Sequence, residues 1–160
     1  MLMKKHLLKV LLAAAVLIAV IEGIVLIVIL TPSYAKIGEV SAITTAAPDN
    51  LRMTSQTIPA QNKLKMQLDN YSDHTLRWDY GGTLEIWHQN NWCTMNKFYD
   101  HGDHPSVSVP PKTFSGTFYD WEDEYGDLRP GKYRFIPNLT RIMDDAANER
   151  IFITVEFEIK

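Results

Sequence analysis

Two histidines and two carboxylates stand within five residues at Asp100-His101-Gly102-Asp103-His104. Imidazole and carboxylate are ligands that zinc takes in hydrolytic sites, so this stretch is the first candidate for chemistry. A metal-dependent hydrolase would use His101 and His104. The spacing speaks against it, because adjacent residues on a loop before Pro105 close poorly around one ion without a rigid element behind them. A solvated loop accounts for the same residues. The second candidate is the acidic run Asp120, Glu122, Asp123, Glu124 and Asp127, interleaved with Trp121 and Tyr125. Calcium takes oxygen ligands at such density, but the Asp-x-Asp-x-Asp-Gly loop pattern is absent. A helical turn whose aromatic residues cover the core edge, with its charges in water, fits better. Cys93, the single cysteine, lies in an apolar run beside Trp92 and reads as a small buried residue. No Gly-x-Ser-x-Gly elbow occurs. The expectation is a non-enzymatic protein with no catalytic, cofactor-binding or metal-ligating residue and no cofactor.

Those candidates need a scaffold, and length sets its size. Of 160 residues, the first 50 read as an N-terminal apolar segment (1–35) and a spacer (36–50). The remaining 110 suit a single domain with its own core. The net charge of −3 is uneven: residues 36–160 hold 13 basic and 18 acidic side chains. A mildly acidic domain with scattered lysine and arginine excludes nucleic acid as the expected partner. With one cysteine, no intramolecular disulfide can form.

The N-terminal segment carries Lys4, Lys5 and Lys9, followed by Val10–Leu30, apolar apart from Glu22. As a helix those 21 residues would span about 31 Å, the thickness of a bilayer's hydrocarbon. Glu22 opposes insertion by about 3 kcal/mol, while the 15 Val, Ile and Leu residues contribute about −4.5 to −9 kcal/mol together. Insertion wins. Ser33-Tyr34-Ala35 offers the small residues of a signal-peptidase site, so cleavage near Ala35 stands as the alternative to a retained single-pass anchor. Either way the basic flank keeps the N-terminus in the cytoplasm and places residues 36–160 outside. Glu22 reads as tolerated; pairing with a membrane partner is its functional alternative.

From Leu51 onward, apolar residues alternate with polar ones between turn signals. Leu51–Ile58, then Leu64, Met66 and Leu68, then Leu84, Ile86 and His88 after Gly81-Gly82, then Trp92–Phe98 after Asn90-Asn91, predict half-buried strands. Val107 and Val109 run into Pro110-Pro111; Phe114, Gly116 and Phe118 alternate next. Ile151, Ile153, Val155, Phe157 and Ile159 form the cleanest strand pattern. About seven antiparallel strands with one wet face pack best as two sheets. Between Asp127 and Phe135, the turn pair Pro130-Gly131 precedes Tyr133 at the start of a strand. That is the placement of a tyrosine corner, whose ring enters the core and whose hydroxyl bonds back near Asp127–Pro130.

Over Leu51–Lys160 the chain resembles a family of bacterial immunoglobulin-like domains of exported or membrane-anchored proteins, mostly Gram-positive. Four pieces carry the likeness: Leu68-Asp69-Asn70-Tyr71-Ser72-Asp73, Leu84-Glu85-Ile86-Trp87, Trp121 through Tyr125-Gly126, and Leu128-Arg129-Pro130-Gly131-Lys132-Tyr133-Arg134. Phe135 stands where an antibody-type domain has its cysteine after the corner tyrosine. The resemblance implies an all-β, immunoglobulin-like antiparallel β-sandwich outside the cytoplasmic membrane, preceded by one hydrophobic helix, and transfers no catalytic residues. The expected role is a binding or structural domain whose loops, Asp100–His104 and Trp121–Asp127, meet an unknown protein or cell-envelope ligand. An accessory subunit held through Glu22 and the metal-dependent hydrolase are the alternatives.

Overall fold

A computed structural model describes residues 16–22, 34–44, 48–58, 62–100, 102, 104–143 and 147–160. The chain divides into two units, Met1–Ser33 and Tyr34–Lys160. In the first, residues 16–22 are helical and expose Val16, Leu17, Ile18, Val20 and Ile21. Among the described residues no helix is long and apolar enough to cross a membrane. The rest of Val10–Leu30, on which the hydrophobic-helix expectation falls, lies outside the described residues.

The second unit sets two antiparallel sheets around one core. Its strands are β1 (Ile37–Val40), β2 (Leu51–Ile58), β3 (Lys63–Asn70), β4 (Leu76–His88), β5 (Asn91–Met95), β6 (Ser106–Val109), β7 (Thr113–Asp120), β8 (Gly131–Arg141), β9 (Glu149–Ile151) and β10 (Val155–Ile159). One short helix, α1 (Glu122–Tyr125), lies between β7 and β8. The larger sheet runs β1-β5-β4-β8-β10, with β6 also on β4 and β9 also on β8. The smaller runs β2-β3-β7. The fold is the expected immunoglobulin-like sandwich. Period-two alternation explains the core: Leu64, Met66 and Leu68 of β3 face Trp78, Leu84, Tyr133 and Phe135 of the larger sheet. Each such side chain taken fully out of water contributes about 1.5–3 kcal/mol.

Four readings are corrected. The spacer 36–50 includes β1, paired with β5, and the preceding Ala35 is fully buried in the core. Alternation misses so short a strand. Gly81-Gly82 does not open β4 but bends it: the register against β8 shifts between Asp79 and Gly82. Two extra residues make the bulge, so Trp78 before it and Leu84 after it still point inward. A Cβ on Gly82 would stand 2.5 Å from the Ile136 carbonyl oxygen, a contact only glycine avoids. The β4–β5 hairpin turns at Gln89-Asn90, both with positive φ, one residue earlier than Asn90-Asn91. The last strand is two. Both β9 and β10 keep one register on β8, but the intervening Ile153 falls opposite Pro137, which has no N–H to give. Ile153 stays buried, so the alternation was right about faces and silent about the ladder.

The corner is as expected. The Tyr133 hydroxyl donates to the Arg129 carbonyl at 2.8 Å, and the ring is fully buried, stacked on Phe157. Burial pushes its phenol up to about 12, against the pull of the Arg129 charge. At the other end, fully buried Asn70 ties two turns together. Its Nδ2 donates to the carbonyls of His74, Val109 and Pro110, and its Oδ1 accepts from the Ser72 N–H and hydroxyl.

Urea melts of three variants test the corner. Tyr133→Phe removes one bond to a buried carbonyl and should cost about 1–3 kcal/mol. Tyr133→Ala should cost about 3–5 kcal/mol. Lys132→Ala loses an exposed pair with Glu156 and the approach of its ammonium to the Trp92 ring, 5.4 Å from the centre, and should cost less than about 1 kcal/mol. A Tyr133→Phe variant as stable as the wild type would mean the corner bond contributes nothing.

Candidate functional site

The two stretches singled out for chemistry meet in space. After β5 the chain leaves the sheet, and the Phe98 N–H donates to the Glu124 carbonyl at 2.7 Å. Glu124 lies on α1, a single turn in which Glu124 and Tyr125 are buried, as are Trp121 just before it and Leu128 just after it. Its carboxylate is almost wholly out of water and is met by three donors. Lys97 Nζ stands 2.8 Å and His104 Nε2 3.1 Å from Oε1, and the Tyr119 hydroxyl gives Oε2 a 2.5 Å bond. A buried carboxylate needs such partners, since desolvation without them costs several kcal/mol. The phenol of Tyr119 is pushed well above its ordinary value, by burial first and neighbouring Tyr125 second.

Neighbouring elements fix this cluster. The His104 ring packs where a side chain on Gly81 would be, its Cδ2 overlapping that Cβ position. Tyr125 reaches β4 just past the bulge, its hydroxyl accepting the Leu84 N–H at 3.3 Å. Asp100 is 3.6 Å from Lys97 and exposed; the Gly102 N–H first, and Lys97 next, hold its carboxyl below the ordinary value.

His104 therefore turns to Glu124, a residue of the other candidate stretch. His101 and Asp103 lie outside the described residues, and among the described residues no three histidine, cysteine or acidic side chains are grouped to hold a metal. An ammonium 2.8 Å from the carboxylate oxygen opposes a cation at that point. Asp120, Glu122, Asp123 and Asp127 do not converge with Glu124: Asp120 pairs with Lys63 at 3.4 Å, and Glu122, Asp123 and Asp127 are exposed. Cys93 is buried, as its setting implied. What the arrangement does chemically is hold: one carboxylate joins the β5–β6 connection to α1.

A second polar cluster escaped the sequence reading. Glu85 and Arg134 alternate with the core residues of β4 and β8, yet both are buried and form an ion pair through Arg134 Nε. Arg134 also donates to the Ile43 carbonyl at 3.2 Å and lies 4.7 Å from the centre of the Trp92 ring. β8 is interior to its sheet, and the chain around β1 covers its outer face there. Opposite charges at cross-strand partners, in the register Glu85 to Arg134, were the available signal.

Comparison with known proteins places this geometry. The family model described as Bacterial Ig-like domain matches residues 48–158. The chain belongs to that family. No curated protein matches it. A solved structure titled as the X-ray structure of a Northeast Structural Genomics Consortium target, SoR45, is 14% identical and covers 69% of this chain and 88% of its own, with a TM-score of 0.35. The four stretches that carried the sequence resemblance now have physical roles in this bacterial Ig-like domain. They supply the Asn70 turn, the Glu85 pair, the buried face of α1 and the tyrosine corner.

Glu124→Gln keeps the side chain's size and removes the charge that Lys97 and His104 meet. It should lower stability by about 1–3 kcal/mol in urea melts, whereas exposed Asp123→Asn should change it by less than about 0.5 kcal/mol. A chelator should leave the thermal midpoint where it was. A fall of several degrees, reversed by zinc or calcium, would show a bound ion stabilising the native state.

Proposed function

We propose that this bacterial Ig-like domain is a non-enzymatic binding or structural module on the outer side of the cytoplasmic membrane. The observation that carries the reading is the engagement of Glu124. Each reactive group at the site is already occupied in joining two loops, so the chemistry there is mechanical. Fixed loops on a rigid sandwich are contact surfaces. Phe98 and Tyr99 stand exposed on the connection that Glu124 anchors, and aromatic side chains so placed serve recognition of a protein or cell-envelope ligand.

The outer location rests on Lys4, Lys5 and Lys9 before the apolar run, which favour retention of the N-terminus in the cytoplasm. Retention of the segment as an anchor is favoured over cleavage near Ala35, because Ala35 is fully buried and Tyr34 bridges to Gly126 and Asp127. A chain beginning at Lys36 would lose both contacts. Pairing with a membrane partner through Glu22 is the alternative role, and co-purification of a polytopic protein that Glu22→Leu abolishes would favour it.

Topology and contact can be read in one system. In intact, wall-stripped cells, added protease should digest the domain, and full protection would refute the outer location. A photoreactive residue at Tyr99 should form adducts with an envelope component. One at Thr54, exposed on β2, should form few; equal labelling at both positions would remove the assignment of the loop as the contact surface.

A further inference from the structure

The smaller sheet ends on β7, which has β3 on one side and no strand on the other among the described residues. Natural edges are guarded by inward charges, prolines or bulges. β7 has none of these within Phe114-Ser115-Gly116-Thr117-Phe118, and its pairing with β3 is regular throughout. It also displays apolar surface. Phe114 is 71% and Phe118 56% exposed, on the face opposite the core, with Gly116 between them. The sequence alternation showed that these two share a face but not that the face is the outer one. Inward-facing Tyr119 fills the core instead, against Phe135.

We infer that β7 pairs antiparallel with β7 of a second copy of this chain, about a two-fold axis through Gly116. In that register Phe114 of one copy lies opposite Phe118 of the other, twice, and the two glycines face each other. At the two ends of the pairing Lys112 is held by Asp73 and the Tyr71 carbonyl, and Asp120 by Lys63, so neither brings an unpaired charge to the seam. On the inner face Ser115 meets Thr117, a small polar pair suited to the seam between two sheets. A shift of two residues either way destroys this, setting one phenylalanine against Gly116 and bringing the other against Lys112 or Asp120. Like residues align in parity, so the outward backbone N–H and C=O groups of the two edges meet. The interface is isologous and closes as a dimer, joining two three-stranded sheets into one. The other edge, β2, does not extend it, because its outward positions are Arg52, Thr54 and Gln56.

The test uses the full chain in detergent micelles. Gly116→Cys places a thiol on the axis, and mild oxidation should convert most of the chain into a dimer on a non-reducing gel. The wild-type chain, whose one cysteine is buried, and Thr54→Cys, on the far edge strand, should stay monomeric on that gel. A Cβ at position 116 approaches the Met66 carbonyl oxygen to 3.3 Å, so a second measurement stands beside the first. In sedimentation equilibrium, Phe118→Lys should weaken self-association by roughly tenfold or more with its melting transition unchanged, the side chain being exposed. A monomeric wild type over the accessible concentration range would overturn the inference. So would a Phe118→Lys variant that associates like the wild type, as association through the N-terminal segment would give, or Thr54→Cys cross-linking as readily as Gly116→Cys.

Discussion

Two sheets without a disulfide between them hold together only if enough apolar surface is buried along their inner faces, and here aromatic rings supply much of it. Trp78, Trp121, Tyr125, Tyr133 and Phe135 are the largest fully buried side chains. Phe157 of β10 stacks between Trp121 and Tyr133 at ring separations of 5.7 and 5.6 Å, and Tyr119 of β7 meets Phe135 of β8 at 4.2 Å. The last pair crosses from the smaller sheet to the larger near the place where an antibody-type domain has its covalent link. Packing there substitutes for cross-linking, which suits a chain with a single, buried cysteine.

That core imposes a second constraint at its rims. Turns and loops must pass over the ends of the sandwich, and any polar group they press inward loses water and must find a partner. Asn70 answers this at one turn by donating to the distant Val109 and Pro110 carbonyls while its Oδ1 accepts from nearby Ser72. Glu124 answers it at α1 by drawing Lys97, His104 and Tyr119 onto one carboxylate. Glu85 and Arg134 answer it under the chain around β1. Histidine, lysine and carboxylate gathered in one place resemble a reaction centre when seen as a list. In this structure Glu124 joins segments: Oε1 meets Lys97 and His104, and Oε2 accepts from Tyr119.

The sandwich was legible because its determinants are local. Period-two alternation in β3, β7 and β10, the Pro130-Gly131 turn and the placement of Tyr133 are properties of short stretches. They named the architecture, the inward faces of most strands and the corner bond before any contact was known. Alternation also separated what alternates from what pairs, which is why Ile153 was assigned to the core correctly while the broken ladder opposite Pro137 was not foreseen.

What the tertiary structure alone decided are contacts between segments distant along the chain. Pairing of β1 with β5 turned part of a supposed spacer into sheet. The position of β8 inside its sheet sent Arg134 under cover, although its neighbours in sequence put it on the wet face. The side of β7 on which Phe114 and Phe118 lie depended on Tyr119 reaching Phe135 across the core. His104 and Glu124 lie 20 residues apart and belong to stretches with separate apparent chemistries. Only the bulge at Gly81, which gives the imidazole its place, and the turn of α1, which aims the carboxylate, bring them together. Local sequence sets which face a side chain takes on its strand; burial and partners follow from which strands become neighbours, and that is settled by the whole core at once.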